Sequence, residues 1–180
     1  MIYIGSDWHN NHFNIIEYSK RPFASVEEMH QSCIAECQAK LKKGDKLIYL
    51  GDLSFDKRPE HIDAFLQQCI PAGVKFFYLR GNHDYQIDKV RKLADAHRKY
   101  EITLIKEIFE LQHNDHFCVF SHYPLLKWNK DRYGSYMFHG HTHGQINDLN
   151  IGVKRLDVGY DNIKSWLITL DDAIKLVDNV

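Results

Sequence analysis

Five apolar runs in this chain are each followed at once by a short polar cluster. The clusters are Asp7-Trp8-His9, Gly51-Asp52, Gly81-Asn82-His83-Asp84, Ser121-His122-Tyr123-Pro124 and His139-Gly140-His141-Thr142-His143. The apolar runs before them lie at 2–5, 47–50, 74–79, 117–120 and 136–138. Their length and their content of β-branched and aromatic residues are typical of buried strands. Because the strands of an open α/β sheet end at a shared edge, we expect clusters far apart in sequence to meet in one crevice.

Segments with helical periodicity lie between the early apolar runs. Residues 26–41 carry an apolar stripe with a capping box at Ser25, residues 59–69 begin with a proline, and a third helix is expected at 86–97. Further strands are expected near 102–105, 107–111, 151–158 and 166–170. Strand–helix alternation in the first half favours a parallel α/β sheet, and the strand-rich second half predicts mixed or antiparallel additions. Neither a repeat nor a linker is visible, so one domain over residues 1–180 is expected.

Hydropathy and charge argue against two classes of partner. No apolar run approaches the roughly 18 residues of a membrane helix, and the first residues lack the pattern of a secretory signal. We therefore expect a cytoplasmic protein without a membrane partner. With 23 basic and 24 acidic residues, the formal net charge is -1, which disfavours an extended nucleic-acid surface. The sequence indicates no oligomeric state.

The four cysteines, Cys33, Cys37, Cys69 and Cys118, are too few and too scattered for a disulfide framework. Cys33 and Cys37 lie four residues apart, which predicts one face of a helix rather than a metal knuckle. We expect all four to be buried, reduced thiols, as is typical of cytoplasmic proteins.

The polar clusters contain the donors of a metal site. Seven candidate ligands are Asp7, His9, Asp52, Asn82, His122, His141 and His143. Side chains two apart on an extended segment point the same way, so Asp7 with His9, and His141 with His143, are expected to act as pairs. One four-coordinate ion cannot use seven ligands, whereas two ions that share a carboxylate can. Mixed imidazole and carboxylate donors favour Mn, Fe, Zn, Ni or Co over Mg or Ca.

Charge counting then indicates the substrate. Two divalent ions, two aspartates and a bridging hydroxide leave a small positive charge, which attracts an anion such as a phosphate ester. Two metals about 3.5–4 Å apart clamp phosphoryl oxygens and generate hydroxide at neutral pH. His83, next to Asn82, is then placed to stabilise or protonate the leaving oxygen. Each motif alone is typical of ordinary turns, so the prediction depends on the ordered set.

That ordered set resembles the calcineurin-like metallophosphoesterase superfamily, whose signature runs D-x-H, G-D, G-N-H-D/E, G-H-x-P and G-H-x-H. The opening from Asp7 to Ile16, followed by Arg21-Pro22-Phe23, is similar to that of small bacterial and phage phosphoesterases. The likeness extends to about residue 161, where Leu156-Asp157-Val158-Gly159 is similar to the last core strand of the family.

The resemblance implies a fold, a cofactor and residue roles. The fold is an α/β, four-layer αββα sandwich with a dinuclear metal site at the strand ends, and manganese is the favoured metal. Asp7, His9 and His143 would hold the first ion, and Asn82, His122 and His141 the second. Asp52 would bridge the two ions, and His83 would be the catalytic histidine.

Departures from the family pattern bear on the substrate. Position 121 is Ser instead of Gly, and Phe55 stands where Ser/Thr protein phosphatases carry the Asp that orients their catalytic histidine. The phosphate-binding arginines of those enzymes have no clear equivalent except Arg80. Because monoester dianions gain more from such arginines than diester monoanions do, a phosphodiesterase is favoured. The alternatives are a phosphomonoesterase with the same site and a non-catalytic scaffold, which has no need for His83.

The substrate contacts are predicted from one loop and two single residues. Residues 123–133 mix aromatic and cationic side chains directly after a ligand. Tyr123, Lys127, Trp128 and Arg132 are candidates to stack a base and meet a phosphate, with a surface loop that covers the core as the alternative. Arg80 and His12 are further candidates, although His12 has an equally good structural explanation. The expected partner is a small phosphate ester or nucleotide.

Overall fold

The computed structural model describes residues 1–150 and 152–179, and within them nine strands form two sheets. The strands are β1 (Ile2–Gly5), β2 (Lys46–Tyr49), β3 (Lys75–Leu79), β4 (Glu101–Ile105), β5 (Ile108–His113), β6 (His116–Ser121), β7 (Tyr136–His139), β8 (Arg155–Asp157) and β9 (Ile168–Thr169). The first sheet has the order β4-β3-β2-β1-β9 and the second the order β5-β6-β7-β8. The four strands from the first half are parallel, with β9 antiparallel to β1. The second sheet is mixed, since β5 and β6 are antiparallel while β6, β7 and β8 are parallel.

Six helices connect or flank these strands in the described part of the chain. They are α1 (Phe13–Tyr18), α2 (Val26–Lys40), α3 (Pro59–Cys69), α4 (Ile87–His97), α5 (Tyr160–Ile163) and α6 (Leu170–Asp178), with 3-10 turns at Asp131–Tyr133 and Asn147–Asn150. Ser25 caps α2 as expected, because its side chain accepts a hydrogen bond from the Glu28 backbone N–H at 3.1 Å. The Glu28 carboxylate reaches back to the backbone N–H of Ala24, one residue before the position that a capping box predicts.

The prediction was incomplete around the short elements. α1 and α5 have six and four residues, too few for a helical period to be visible. The strand expected at 151–158 is confined to Arg155–Asp157, and residue 151 lies outside the described residues. The strand expected at 166–170 is reduced to the two residues of β9, because Thr169 caps α6 by accepting a hydrogen bond from Asp172 N–H at 3.1 Å.

Alternating side chains of the first sheet enter two different cores. Tyr3, Leu47 and Phe76 point towards the helices and form one apolar cluster with residues of α2, α3 and α4. Ile4 and Ile48 belong to a second cluster with side chains of the other sheet and of α6. The predicted α/β architecture, two sheets flanked by helices, is therefore confirmed. In the residues described, no helix has both the length and the apolar character to cross a membrane.

Candidate metal centre

The polar clusters lie directly after β1, β2, β3, β6 and β7, and backbone hydrogen bonds join their loops. The Asp7 N–H donates to the Gly51 carbonyl at 3.0 Å, which ties the loop after β1 to the loop after β2. The Gly140 N–H donates to the His122 carbonyl at 3.0 Å, which ties the loops of the second sheet together. The predicted convergence of distant clusters at the strand ends is thus present.

One group of donors consists of Asp7, His9 and His143, whose ligand atoms lie within 4.8 Å of one another. Asp7 Oδ1 lies 3.7 Å from His9 Nε2 and 4.0 Å from His143 Nε2. Asp7 and His9 are buried, and neither Asp7 Oδ1 nor His9 Nε2 has a hydrogen-bond partner within the described structure. Buried polar atoms of this kind destabilise a fold unless something pairs with them. A divalent cation between these atoms fits that requirement.

A second group consists of Asp52, His122 and His141, again with ligand atoms within 4.8 Å. His122 Nδ1 lies 2.7 Å from the Leu50 carbonyl oxygen, an acceptor, so the assigned tautomer carries its proton on Nδ1. His122 Nε2 then presents a lone pair, 3.6 Å from Asp52 Oδ2 and 3.0 Å from Asn82 Oδ1. Electron-pair donors this close to one another are suited to hold a cation.

Asp52 also has an unusual electrostatic environment. Burial, with the nearby charges of Asp7 and Asp84, raises the pKa of its carboxyl group to about 7 despite the opposing effects of His122 and the His83 N–H. A neighbouring divalent ion would reverse this shift, because it favours the ionised carboxylate.

Five candidate ligands have left-handed backbone conformations. The φ angles of Asp7, His9, Asp52, His141 and His143 lie between 50° and 69°. The expectation of extended segments at these positions is therefore wrong, although Asp7 and His9 belong to one group as predicted. His141 and His143, predicted as a pair, belong to different groups. Left-handed residues are uncommon outside glycine, but Asp, Asn and His tolerate this region best, and such conformations cluster at functional sites.

Two glycines allow the loops to approach one another. A Cβ atom at Gly140 would collide with Ser6 Oγ and Asp7 Oδ2, and one at Gly81 would collide with Asp52 Oδ1. Both positions need glycine because a candidate ligand occupies the space of a side chain.

A buried ion pair that sequence reasoning did not assign a role supports the first group. The Arg21 guanidinium makes two hydrogen bonds of 2.8 Å to Asp161 and also donates to the Asp7 and Trp8 carbonyls. Asp161 Oδ2 lies 2.6 Å from His143 Nδ1.

Burial lowers the pKa of His143, but the hydrogen bond to Asp161 outweighs this effect and the net shift of the pKa is upward. The carboxylate thus orients the imidazole with Nε2 towards Asp7. Arg21 was noted only as part of the Arg-Pro-Phe likeness, and Asp161 gave no sequence signal.

Two further carboxylates organise the loops. Asp84 accepts hydrogen bonds of 2.7–3.0 Å from the backbone N–H groups of Gly81, Asp52 and the residue after Asp52. Asp157 accepts from the Thr142 hydroxyl and from a backbone N–H of the same loop, at 2.6 and 2.9 Å. Both residues lie in motifs noted in the sequence, but only the folded chain brings them to these contacts.

His83 lies at the rim of the second group. Its Nε2 is 3.9 Å from Asp52 Oδ2, and the side chain is partly exposed. The Phe55 ring contacts two imidazoles, with its centroid 3.6 Å from that of His12 and 4.3 Å from that of His83. Burial lowers the pKa of His83, and it lowers that of His12 to about 4, so burial favours the neutral form of both rings.

The candidate substrate residues divide into two sets. His12 lies against Phe55, and the half-exposed Tyr123 ring lies 4.9 Å from His122 and 4.7 Å from His141. The structure therefore brings His12 and Tyr123 to the candidate centre.

The other four candidates have different surroundings. Arg80 pairs with Asp88, and Lys127 pairs with Asp131 at 2.9 Å. The Trp128 indole N–H donates to Ser135 Oγ at 2.9 Å, and Arg132 is exposed in the turn Asp131–Tyr133. The half-buried Trp128 agrees with the alternative of a surface loop that covers the core.

Comparison with known proteins gives three findings. The family model for calcineurin-like phosphoesterases matches residues 1–173. The uncharacterized protein MJ1445 of Methanocaldococcus jannaschii is 31% identical over 181 residues, which cover 98% of this chain and 91% of that protein. A crystal structure of a protein of unknown function, AQ665 from Aquifex aeolicus, superposes on this chain with a TM-score of 0.72 at 17% sequence identity. The superposition covers 98% of each chain, so the two proteins share the fold. With a family match over nearly its whole length, this chain belongs to the calcineurin-like phosphoesterase family.

Proposed function

We propose that the protein is a phosphodiesterase that hydrolyses small or nucleotide-like phosphate esters with two divalent metal ions, manganese being favoured. Membership of the family indicates a metal-dependent phosphoesterase. The observation that carries the proposal is the convergence of two donor groups at the strand ends. In the first group, Asp7 Oδ1 and His9 Nε2 are buried without a hydrogen-bond partner in the described structure.

The residues that would hold the ions follow from the two groups. Asp7, His9 and His143 would bind one ion, while Asn82, His122 and His141 would bind the other, with Asp52 shared between them. Bound there, two divalent ions would polarise the phosphoryl oxygens and make a water molecule acidic enough to react at neutral pH. The protein's contribution is to hold these donors in fixed positions through Asp161, Asp84 and Asp157.

His83 would act on the leaving group. Its imidazole is partly exposed and lies at the edge of the second donor group. Because burial lowers its pKa, it meets the substrate as a neutral ring whose N–H donates a hydrogen bond to the leaving oxygen.

The preference for diesters is supported by the state of the nearby cations. Arg80 pairs with Asp88, Lys127 with Asp131, and the buried Arg21 with Asp161. The side chains next to the donor groups are instead the uncharged His12, Phe55 and Tyr123. A diester monoanion needs less additional positive charge than a monoester dianion. A cytoplasmic location is part of the proposal and is supported by four free cysteines.

The decisive experiment compares turnover of bis-p-nitrophenyl phosphate and p-nitrophenyl phosphate by the manganese-reconstituted protein, with a chelated control. Faster, chelator-sensitive cleavage of the diester is expected. Faster cleavage of the monoester would favour the phosphomonoesterase alternative and overturn the proposed specificity.

Replacement of His83 distinguishes an enzyme from a non-catalytic scaffold. His83→Ala should lower turnover by about 10²- to 10⁴-fold, the usual contribution of general acid–base groups, while the manganese content per chain stays at the wild-type value. Unchanged turnover in this variant would refute the role of His83. Absence of turnover in the metal-loaded wild type on both substrates and on a panel of nucleotides would favour the scaffold.

A further inference from the structure

Three of the four cysteines meet in the core between α2 and α3, well away from the polar loops in sequence. Cys33 and Cys37 lie one turn apart on α2, as predicted, and Cys69 is the last residue of α3. Their sulfur atoms lie within 4.8 Å of one another. The residues are 2%, 0% and 0% exposed, respectively. The sequence did not predict that Cys69 joins the other two.

The surroundings of this thiol cluster, Cys33, Cys37 and Cys69, are apolar. All three residues belong to the hydrophobic core formed by the first sheet and the helices. Among the described residues, the group contains three sulfur ligands and no fourth His, Cys or carboxylate. Two charged groups of α2, Glu36 and Lys40, act electrostatically on Cys37, and they pair with each other at 2.7 Å.

The spacing of the sulfur atoms fits a three-coordinate ion. An ion bonded to three sulfurs at about 2.3 Å, the distance of zinc–thiolate bonds, separates them by at most about 4 Å, the value for a planar arrangement, and by less when the three bonds are pyramidal. This separation lies inside the 4.8 Å limit of the cluster. Binding would therefore require only small side-chain adjustments.

The apolar surroundings restrict which ions the site can hold, because the complex of the ion with three thiolates must carry little net charge. Three thiolates around a divalent ion leave one net negative charge, and around monovalent copper they leave two. Such uncompensated charge is costly to bury. Zinc also takes a fourth ligand in structural sites. A trivalent ion gives a neutral complex, and arsenic(III) forms three bonds to sulfur with a lone pair in place of a fourth ligand. We propose that Cys33, Cys37 and Cys69 form a binding site for a trivalent thiophilic ion, with arsenic(III) as its representative.

The reaction with arsenous acid, As(OH)₃, balances without an oxidant or reductant. Three As–S bonds form, three As–O and three S–H bonds break, and three water molecules leave. Cys37 is suited to attack first, since hydrogen bonds from the thiols of Cys33 and Cys69 lower its pKa while burial raises the pKa of both neighbours. Because all three sulfurs are buried, entry requires local opening between α2 and α3, and uptake should be slow.

The test uses the full chain, reduced and then incubated with arsenite. Native mass spectrometry should show one arsenic per chain with the loss of three hydrogens, and arsenic X-ray absorption should show three sulfur neighbours. Cys118→Ala is the matched control, because Cys118 is a fully buried thiol of the other core. This variant should bind like the wild type, and Cys69→Ala should lose the three-sulfur signature.

Thermal unfolding gives a second readout. Arsenite should raise the Tm of the wild type and of Cys118→Ala, since binding to the native state alone stabilises it, and should leave that of Cys69→Ala unchanged. If Cys69→Ala does not fold, the wild-type absorption spectrum decides by itself. Two or fewer sulfur neighbours, or no uptake by the native chain after prolonged incubation, would overturn the proposal.

Discussion

The Phe55 side chain is one of the groups that hold the candidate catalytic histidine in place. Its ring packs against both His12 and His83, in the position where protein phosphatases carry an aspartate. An aspartate would raise the pKa of the histidine, whereas a phenyl ring constrains the imidazole by packing and leaves its pKa low. Packing against Phe55 therefore positions the histidine without raising its pKa.

Replacement of Phe55 should affect the leaving-group step. Phe55→Ala is expected to lower kcat by about 10-fold with little change in KM, because His83 loses the surface that orients it. The loss should be larger for diesters of aliphatic alcohols than for those of p-nitrophenol, since poor leaving groups depend more on His83. Phe55→Tyr should retain activity, and Phe13→Ala, at an exposed aromatic residue, is the control. Equal losses for all leaving groups would contradict the positioning role.

Asp161 should control metal affinity without being a ligand. Asp161→Asn weakens the acceptor for His143 Nδ1 and breaks the ion pair with Arg21. We expect manganese affinity to fall by about 10- to 100-fold, as for other carboxylates behind a histidine ligand. Isothermal titration calorimetry measures the effect, with Asp115→Asn on an exposed loop as the control. An unchanged affinity would show that packing alone orients His143.

At the scale of secondary-structure elements, α2 is joined to the segment before β9 by two charged side chains. Glu36 Oε1 accepts a hydrogen bond from Leu167 N–H at 3.0 Å and another from the Ser165 hydroxyl. Lys40 Nζ donates to the Leu167 carbonyl at 2.7 Å and pairs with Glu36. These contacts hold the chain that enters β9 against the helix.

The pH dependence of this connection has a definite sign. Burial tends to raise the pKa of Glu36, but the hydrogen bonds of Lys40, Ser165 and Leu167 outweigh it and the net shift is downward. The contribution of Glu36 to stability is therefore full above its unfolded pKa and is lost as the pH falls through the lower folded value. Glu36→Gln should destabilise the protein by about 1 kcal/mol at pH 7 in urea unfolding. The difference from wild type should shrink below pH 4, and a difference that grows there would contradict the assignment.

The elements also show where sequence reasoning succeeds. α2 and α3 were predictable because Ser25 and Pro59 mark their starts and each carries an apolar stripe. α6 was missed because the β-prone residues before Thr169 dominated the interpretation of that segment. The candidate ligands were found because they follow strands in ordered motifs. Three features were not found from the sequence, because they depend on three-dimensional contacts between distant segments. They are the Arg21–Asp161 pair, the stacking of Phe55 on His12, and the approach of Cys69 to the two cysteines of α2.

At the scale of the whole molecule, each donor group takes residues from both sheets. Asp7 and His9 follow β1 of the first sheet, while His143 follows β7 of the second. In the other group, Asp52 follows β2, whereas His122 and His141 follow strands of the second sheet. A metal ion in either group would therefore link the two sheets.

Metal removal should accordingly weaken the whole fold. At a free manganese concentration 100 times Kd, each site should add about 2.7 kcal/mol to stability. For a chain of this size, that corresponds to a Tm roughly 5–10 °C higher per site than in chelated protein. Differential scanning calorimetry with and without chelator measures the shift, and Asp7→Asn should reduce it. An identical Tm in both states would show that manganese does not bind the native protein in preference to the unfolded chain.

The left-handed backbone at the candidate ligand positions also limits how the site can be redesigned. Exchanges among Asp, Asn and His change the donor atoms while keeping residue types that tolerate this conformation. A Glu or Cys would supply a good ligand atom but would add a backbone penalty of about 1–2 kcal/mol at Asp7, His9 or His143. A change of metal preference is therefore most accessible by oxygen–nitrogen exchange at these positions, and introduction of soft sulfur ligands would first require a different loop.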